Sequence, residues 1–335
     1  MRMSSLLISA ALGLSSQAQA IELFHEDFEV QPTSTFAVNT SDLGGTAGTV
    51  GDNQWIINNE YAGGSGTLIC LGFPFSFSVP NTPTQPAAIP GNPTSHYLHT
   101  TASAAVANGV SNATYIPADG TCVLAASHFA RMTGDVSTLG MNNVALDFWW
   151  ILGGTNSSYG EVYYSLDSGA NWTQITTPFA SYLDQPAWTQ TVLSMPEWDN
   201  QPALRFAFRF VNNVSATATD PGFGIDEVRI VADPINNLPV AADDAYQIGP
   251  EGSLDVDVSV NDVPSADGGN VWALVAPPSG ALDLAANGNL LYAADAGFAG
   301  DVIFDYSLCD VDNDCDEATV TITVMPAVIF SDDFE

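Results

Sequence analysis

The sequence predicts an all-β protein built as two successive sandwiches, and three observations predict it. Short runs alternate apolar and polar side chains at the period of a strand, separated by Gly, Asn, Ser and Pro turns, with no helical stripe between them. The segment Asp233-Pro234-Ile235-Asn236-Asn237-Leu238-Pro239 has the Pro, Asn and Asp density of a linker. The 335 residues are 46% hydrophobic, with 17 Phe, 10 Tyr and 7 Trp, ample for two cores.

In chain order, residues 1–20 read as a cleaved secretory leader. Arg2 gives the positive start, Leu6-Leu7-Ile8 through Leu14 the apolar stretch, and Ala18-Gln19-Ala20 the cleavage site. That stretch is too short to span a bilayer, and no later run is long enough, so the expectation is an exported chain without a transmembrane segment. Residues 21–232 form the first unit, a sandwich of jelly-roll type. Val144–Leu152 is apolar with a mild alternation, and Glu161–Leu166 alternates before the turn from Asp167 to Trp172. Ala203–Phe210 and Glu227–Val231 alternate cleanly, as strands of a two-faced antiparallel sheet do. From Pro74 to Pro93 the chain reads as a proline-dense loop, too irregular for a strand.

After the linker 233–238, residues 239–325 carry strands at immunoglobulin-like spacing. They are Leu254–Val260, Val271–Val275, Leu290–Tyr292, Val302–Leu308 and Ala318–Val324. The tail 326–335 closes on Ile329-Phe330-Ser331-Asp332-Asp333-Phe334-Glu335, a near-repeat of Leu23-Phe24-His25-Glu26-Asp27-Phe28-Glu29. One hypothesis is that the tail mimics the first strand and pairs with a sheet edge.

Charge removes whole classes of function. No lysine occurs, and five arginines stand against 38 Asp and Glu, a formal net charge of −33. Nucleic-acid binding and attraction to anionic membranes both need clustered basic side chains. A divalent cation such as Ca2+ is the natural charged partner of such a surface. The charge does not imply disorder, since disordered acidic chains are poor in aromatics.

Four cysteines in an exported chain predict two disulfides. Cys309 and Cys315 are close enough in sequence to clip a hairpin, which leaves Cys70 with Cys122. Nucleophilic catalysis finds no support: Gly63-Gly64-Ser65-Gly66-Thr67 misses the G-x-S-x-G spacing by one residue. His96 and His99 sit three apart and face opposite sides of a strand, and His25-Glu26 lacks the second histidine of a zinc peptidase.

Two family resemblances follow. Glu26-Asp27-Phe28-Glu29, Asp135–Leu139 leading into Val144–Trp150, Tyr164–Trp172 and Phe223-Gly224-Ile225-Asp226-Glu227-Val228 occur in order. Through them residues 21–232 resemble the secreted jelly-roll domains found beside bacterial surface anchors, the choice-of-anchor or cleaved-adhesin type akin to MAM domains. That family usually shows paired Asp where this chain has Asp226-Glu227. Pro239–Tyr246, Val260-Asn261-Asp262, Pro278-Ser279-Gly280, Tyr292, Gly297–Gly300, Phe304-Asp305-Tyr306 and Ala318–Ile322 carry the second match. Residues 239–324 look like the bacterial Ig-like/cadherin-like repeat of large adhesins, which implies an extracellular, non-catalytic spacer or binding module.

These readings nominate sites. In a jelly roll the first and last strands lie side by side, so Glu26, Asp27 and Glu29 are expected near Asp226 and Glu227, around a structural Ca2+. The linker offers Asp233, Asn237, Asp243 and Asp244 as a second cation site, in partial likeness to cadherin linkers. Asp310-Val311-Asp312-Asn313-Asp314 opens like an EF-hand loop but has Cys315 where glycine belongs, and reads as a solvated turn. One ring of Trp149-Trp150 points outward, and Trp150, Trp172 and Trp188 are the candidates for a sugar-stacking platform.

The function expected is an exported, non-catalytic protein of adhesion or ligand binding, with structural calcium and an extracellular glycan or surface protein as partner. The alternatives are a carbohydrate-active enzyme or its sugar-binding accessory, and a structural protein of the cell surface or matrix.

Overall fold

A computed structural model describes residues 20–30, 34–40, 53–215, 217–276 and 281–327. The leader expected over residues 1–20 falls outside these residues but for Ala20, as do Pro278-Ser279-Gly280 and the tail from residue 328. The chain divides into two compact units between Ile235 and Asn236.

The first unit contains β1 (Ile21–Glu26), β2 (Phe36–Thr40), β3 (Asn53–Asn58), β4 (Gly64–Cys70), β5 (Phe73–Val79) and β6 (Tyr97–Ala102). The short helix α1 (Ser103–Val106) is followed by β7 (Ala126–Met132), β8 (Met141–Leu152), β9 (Ser158–Ser165) and β10 (Thr173–Ile175). β11 (Gln185–Ser194), β12 (Arg205–Asn212) and β13 (Gly224–Pro234) complete it. One six-stranded sheet runs β11-β8-β13-β6-β3, with β1 also on β13; a five-stranded sheet runs β10-β9-β12-β7-β2. Every pairing within these two sheets is antiparallel.

Strand alternation sends every second side chain between the sheets. Leu146, Phe148 and Trp150 of β8 there meet Phe206, Phe208 and Phe210 of β12 in one core. Phe208 is wholly buried, with ring centroids of Phe148 at 5.1 Å and Phe36 at 5.9 Å.

β5 corrects the reading of 74–93 as loop throughout. Only Pro74 falls inside the strand, and the two-stranded ribbon β4–β5 tolerates a proline because one side of each strand has no ladder to complete. Gly64 and Gly66 let β4 press onto its support: a Cβ at either position would lie 2.5 Å from Val110 or Asn108. The Gly-rich run is thus a close-approach device.

The second unit contains β14 (Asp244–Ile248), β15 (Ser253–Asp257), β16 (Val271–Leu274), β17 (Ala281–Leu284), β18 (Asn289–Ala293), β19 (Gly300–Cys309) and β20 (Cys315–Val324). A sheet ordered β14-β20-β19-β16 and another ordered β15-β18-β17 enclose Trp272, Leu290, Tyr306, Leu308, Val320 and Ile322. It is an Ig-like sandwich in which β14 runs parallel to β20.

Both disulfides form as expected, Cys70 with Cys122 and Cys309 with Cys315. Closing a 52-residue separation contributes about 4 kcal/mol on the chain-entropy model, and closing six residues about 2 kcal/mol.

Candidate functional site

β1 pairs antiparallel with β13, so the two acidic ends of the sandwich do lie side by side. The structure nevertheless spreads the five expected calcium ligands. Glu26 points inward and accepts from the N–H groups of Phe28 and Thr35 and the hydroxyls of Ser34 and Thr35. Asp27 is spent on the Glu29 N–H at 3.1 Å. Glu29 receives the His96 N–H at 2.6 Å and faces its Nδ1 at 3.0 Å. Asp226 accepts from Gln85 Nε2 and Ser95 Oγ, while Glu227 accepts from Arg229 and lies 2.9 Å from His25 Nε2. Among the described residues no three His, Cys, Asp or Glu side chains converge on one metal position.

A β-bulge is the physical reason. The register of β13 against β8 shifts between Asp226 and Arg229, and Glu227 adopts a left-handed φ of 52°. Ile225 and Val228 both enter the core, so the residues between them both leave it on the outer face. Burial pushes the Asp226 carboxyl up to about 8, and the negative charges of Glu227 and Glu29 add to the rise.

On that outer face Ile89 of the proline-rich loop is wholly buried against Tyr61, Tyr97, Ile151 and Trp188. Beside this cover lies a recess of about 190 Å³, walled by Ala88, Asp147, Trp149, Gln190, Glu227 and Arg229. Strand register assembles it: Gln190 and Asp226 flank Trp149, and Arg229 stands opposite Asp147. Both Asp147 oxygens accept from Gln190 Nε2 at 2.9 Å. Burial raises the Asp147 carboxyl, which its hydrogen bond to Gln190 and the charge of Arg229 oppose. Arg229 Nε is buried and has no hydrogen-bond partner among the described residues. The recess therefore offers an aromatic wall, two carboxylates, an amide and a guanidinium within one sugar ring's reach.

The platform tryptophans are corrected accordingly. Trp150 shares its strand face with Leu146 and Phe148, so it is core, and its Nε1 donates to Thr191 Oγ1 at 2.8 Å. Trp188 is only 9% exposed and donates to the Pro83 carbonyl at 2.9 Å, fastening the loop above it. Trp172 packs with Phe129, Tyr163 and Ala207 on the outer face of the five-stranded sheet.

That second outer face gathers Arg131, Arg205 and Arg209. Register aligns Gln174, Tyr163, Ala207, Arg131 and Ala37 in one row, and Glu161, Arg209, Phe129 and Thr40 in the next. The Arg131 and Arg209 guanidinium carbons lie 4.4 and 5.6 Å from the Phe129 ring centroid. Arg209 pairs with Glu161 at 2.7 Å and Arg205 with Asp135.

The linker acids are engaged separately. Asp233 accepts from Asn143 in the first unit. In the second, Asn237 bonds to Asp267, Asp243 accepts the Thr319 N–H, and Asp244 accepts from Tyr246. The Asp310 carboxylate is turned onto the N–H groups of Asp312 and Asp314, as a capped turn requires.

Residues 236–323 match the model of the bacterial Ig domain family. No curated protein matches the chain. Among solved structures, the xylan-binding domain CBM22-1 of Xyn10C from Paenibacillus barcinonensis is 13% identical, with 66% of this chain and 99% of that one covered and a TM-score of 0.28. The Stig cyclase Fisc from Fischerella sp. TAU is 13% identical over 64% of this chain and 99% of its own, with a TM-score of 0.30. The glycoside hydrolase domain of Endo-D from Streptococcus pneumoniae R6 is 9% identical, over 80% of this chain and 37% of its own, at a TM-score of 0.26. Likeness at this level says nothing of a shared ligand.

Proposed function

We propose that this chain is an exported, non-catalytic binding protein whose sandwich holds a sugar ring of an extracellular glycan in the Trp149 recess, with the Ig-like unit as spacer. The observation that carries the reading is the recess itself, where a half-buried indole stands among Asp147, Gln190, Glu227 and Arg229. An apolar sugar face suits the indole, and the surrounding acceptors and donors suit its hydroxyls. At about 190 Å³ the recess takes a terminal ring rather than a folded oligosaccharide. A formal charge of −33 repels polyanions, which favours a neutral glycan. The test is a glycan array followed by titration of the best ligand. Trp149→Ala and Asp147→Asn should each weaken binding at least tenfold, and undiminished binding in both would end the proposal.

A second reading, a carbohydrate-active enzyme, is favoured by one observation. Asp147 and Glu227 share the recess in unlike settings, the first raised by burial, the second bonded to Arg229. Turnover of a bound glycan, lost in Glu227→Gln, would replace binding with hydrolysis.

We further propose a stabilising calcium ion beside Glu29 and Asp226. What supports it is the donor chemistry, two carboxyl groups with the hard oxygens of Gln85 and Ser95 alongside, and the burial and neighbouring negative charge that raise the Asp226 carboxyl and that a cation would offset. A cation there requires the Gln85 and Ser95 hydrogen bonds to rearrange. Millimolar Ca2+ should raise the melting temperature of the wild type and leave Asp226→Asn unmoved. Identical melting curves in Ca2+ and in EDTA would dismiss the ion.

A further inference from the structure

The β4–β5 hairpin stands outside both sandwich sheets and is held at three places. Its tip is tied by Cys70–Cys122. Along its length Asn108 accepts the Thr67 N–H at 3.2 Å and donates to the Thr67 carbonyl at 3.3 Å. At its base Val79 packs with Ala102, Ala105 and Val110. Between these anchors the hairpin arches over the loop after α1 and leaves a half-open cavity of about 300 Å³.

Leu68, Phe75, Phe77 and Ile116 form the apolar part of the cavity lining, Ser76, Ser78 and Thr114 add hydroxyls, and Asp220 supplies its one carboxyl. Thr114 Oγ1 donates to Asp220 Oδ1 at 2.7 Å. Burial pushes this carboxyl up against the opposing hydrogen bonds of Thr114 and the Tyr115 N–H, and no cation is among the groups that act on it. The arginines of the described chain stand elsewhere, three on the five-stranded face and Arg229 in the Trp149 recess, and there is no lysine. A part-buried carboxyl of this kind is charged most cheaply when a cation pairs with it, and since none of the chain's described arginines reaches it, a cationic ligand is the partner that would complement it.

We propose that this cavity binds a small apolar amine, an ammonium group on one aromatic ring or a short aliphatic body. The ammonium pairs with Asp220 and the body lies against Leu68, Phe75 and Phe77. The volume is at the low end of small-molecule sites, roughly 300–1,000 Å³, which sets the size of the occupant. The site is separate from the sugar recess, and neither reading depends on the other.

The experiment is calorimetric titration of the full exported chain with phenethylamine, phenethyl alcohol and phenylacetate. Wild type should bind the amine at least tenfold more tightly than the alcohol and should reject the carboxylate. Asp220→Asn should bind amine and alcohol alike, and Leu68→Trp, which crowds the cavity from the hairpin side and leaves the acid in place, should bind neither. Equal affinity of wild type for amine and alcohol, or no amine binding at millimolar concentration, overturns the proposal, and both comparisons need only the wild-type protein.

Discussion

The two outer faces of the sandwich use the same kinds of side chain to opposite ends. On the five-stranded sheet, Arg131 and Arg209 lie over Phe129, which is 0% exposed, with Tyr163 edge-on at 5.1 Å. On the six-stranded sheet, Arg229 turns to Glu227, Gln190 spans Asp147, and the Trp149 ring stays half-buried at the edge of a recess. A guanidinium held over a ring helps close it even when, like Arg209, it also pairs with a carboxylate, whereas Arg229, directed to Glu227, leaves the neighbouring ring open. Aromatic content therefore does not mark a binding face by itself; whether an arginine lies over the ring does.

Substitutions can break or sharpen that contrast. The largest expected effect is Phe129→Ala, which removes a wholly buried ring and should cost about 3–5 kcal/mol in chemical denaturation. A cost below about 1 kcal/mol would mean that the five-stranded face is open after all.

Next is a pH effect on the six-stranded face, where His99 is fully buried and stacked on Tyr97. Burial lowers its pKa to about 4, against the pull of the Thr100 carbonyl. The unfolded chain, titrating near 6.5, then binds more protons than the folded one between those values. Stability is therefore complete above pH 6.5 and falls towards pH 4, by at most about 3 kcal/mol. His99→Gln should flatten that part of the profile, and an unchanged slope would show that His99 is not the group responsible.

Arg209→Met should cost about 2 kcal/mol, because it strands Glu161, whose side chain is 8% exposed and also accepts from Tyr163. Smallest on stability is Trp149→Ala, at about 1 kcal/mol or less, despite the tenfold loss of glycan binding proposed for it. If Trp149→Ala instead melts the fold, the open-face reading is wrong.

Much of the fold was legible because alternation is a local signal. The even-numbered apolar residues of Val144–Leu152 form the core face, and that parity puts Trp150 inward and Trp149 outward, so the nomination of Trp150 for the platform ran against a signal the segment itself carries. Asp147, two residues from Trp149, is a local cue that this face is polar, one the sequence reading did not use. Gln190 and Arg229 were not legible, since they reach the recess only through register with β8, which depends on pairings distant in sequence. The spread of the five acids was hidden for a related reason. A single extra residue at the β13 bulge redirects Asp226 and Glu227, and nothing in Gly224–Val228 announces it. The β4–β5 hairpin was missed because Pro74 was grouped with the prolines beyond Val79, although the run between Pro74 and Pro80 alternates Phe and Ser.

The parallel pairing of β14 with β20 has a mechanical consequence. These strands lie at opposite ends of the Ig-like unit's sequence yet share a ladder from Asp244↔Val320 to Ile248↔Val324. Tension applied between the two ends drags one strand lengthwise along the other, so the rungs are loaded together rather than unzipped singly. A tether built this way yields abruptly at a high force instead of creeping.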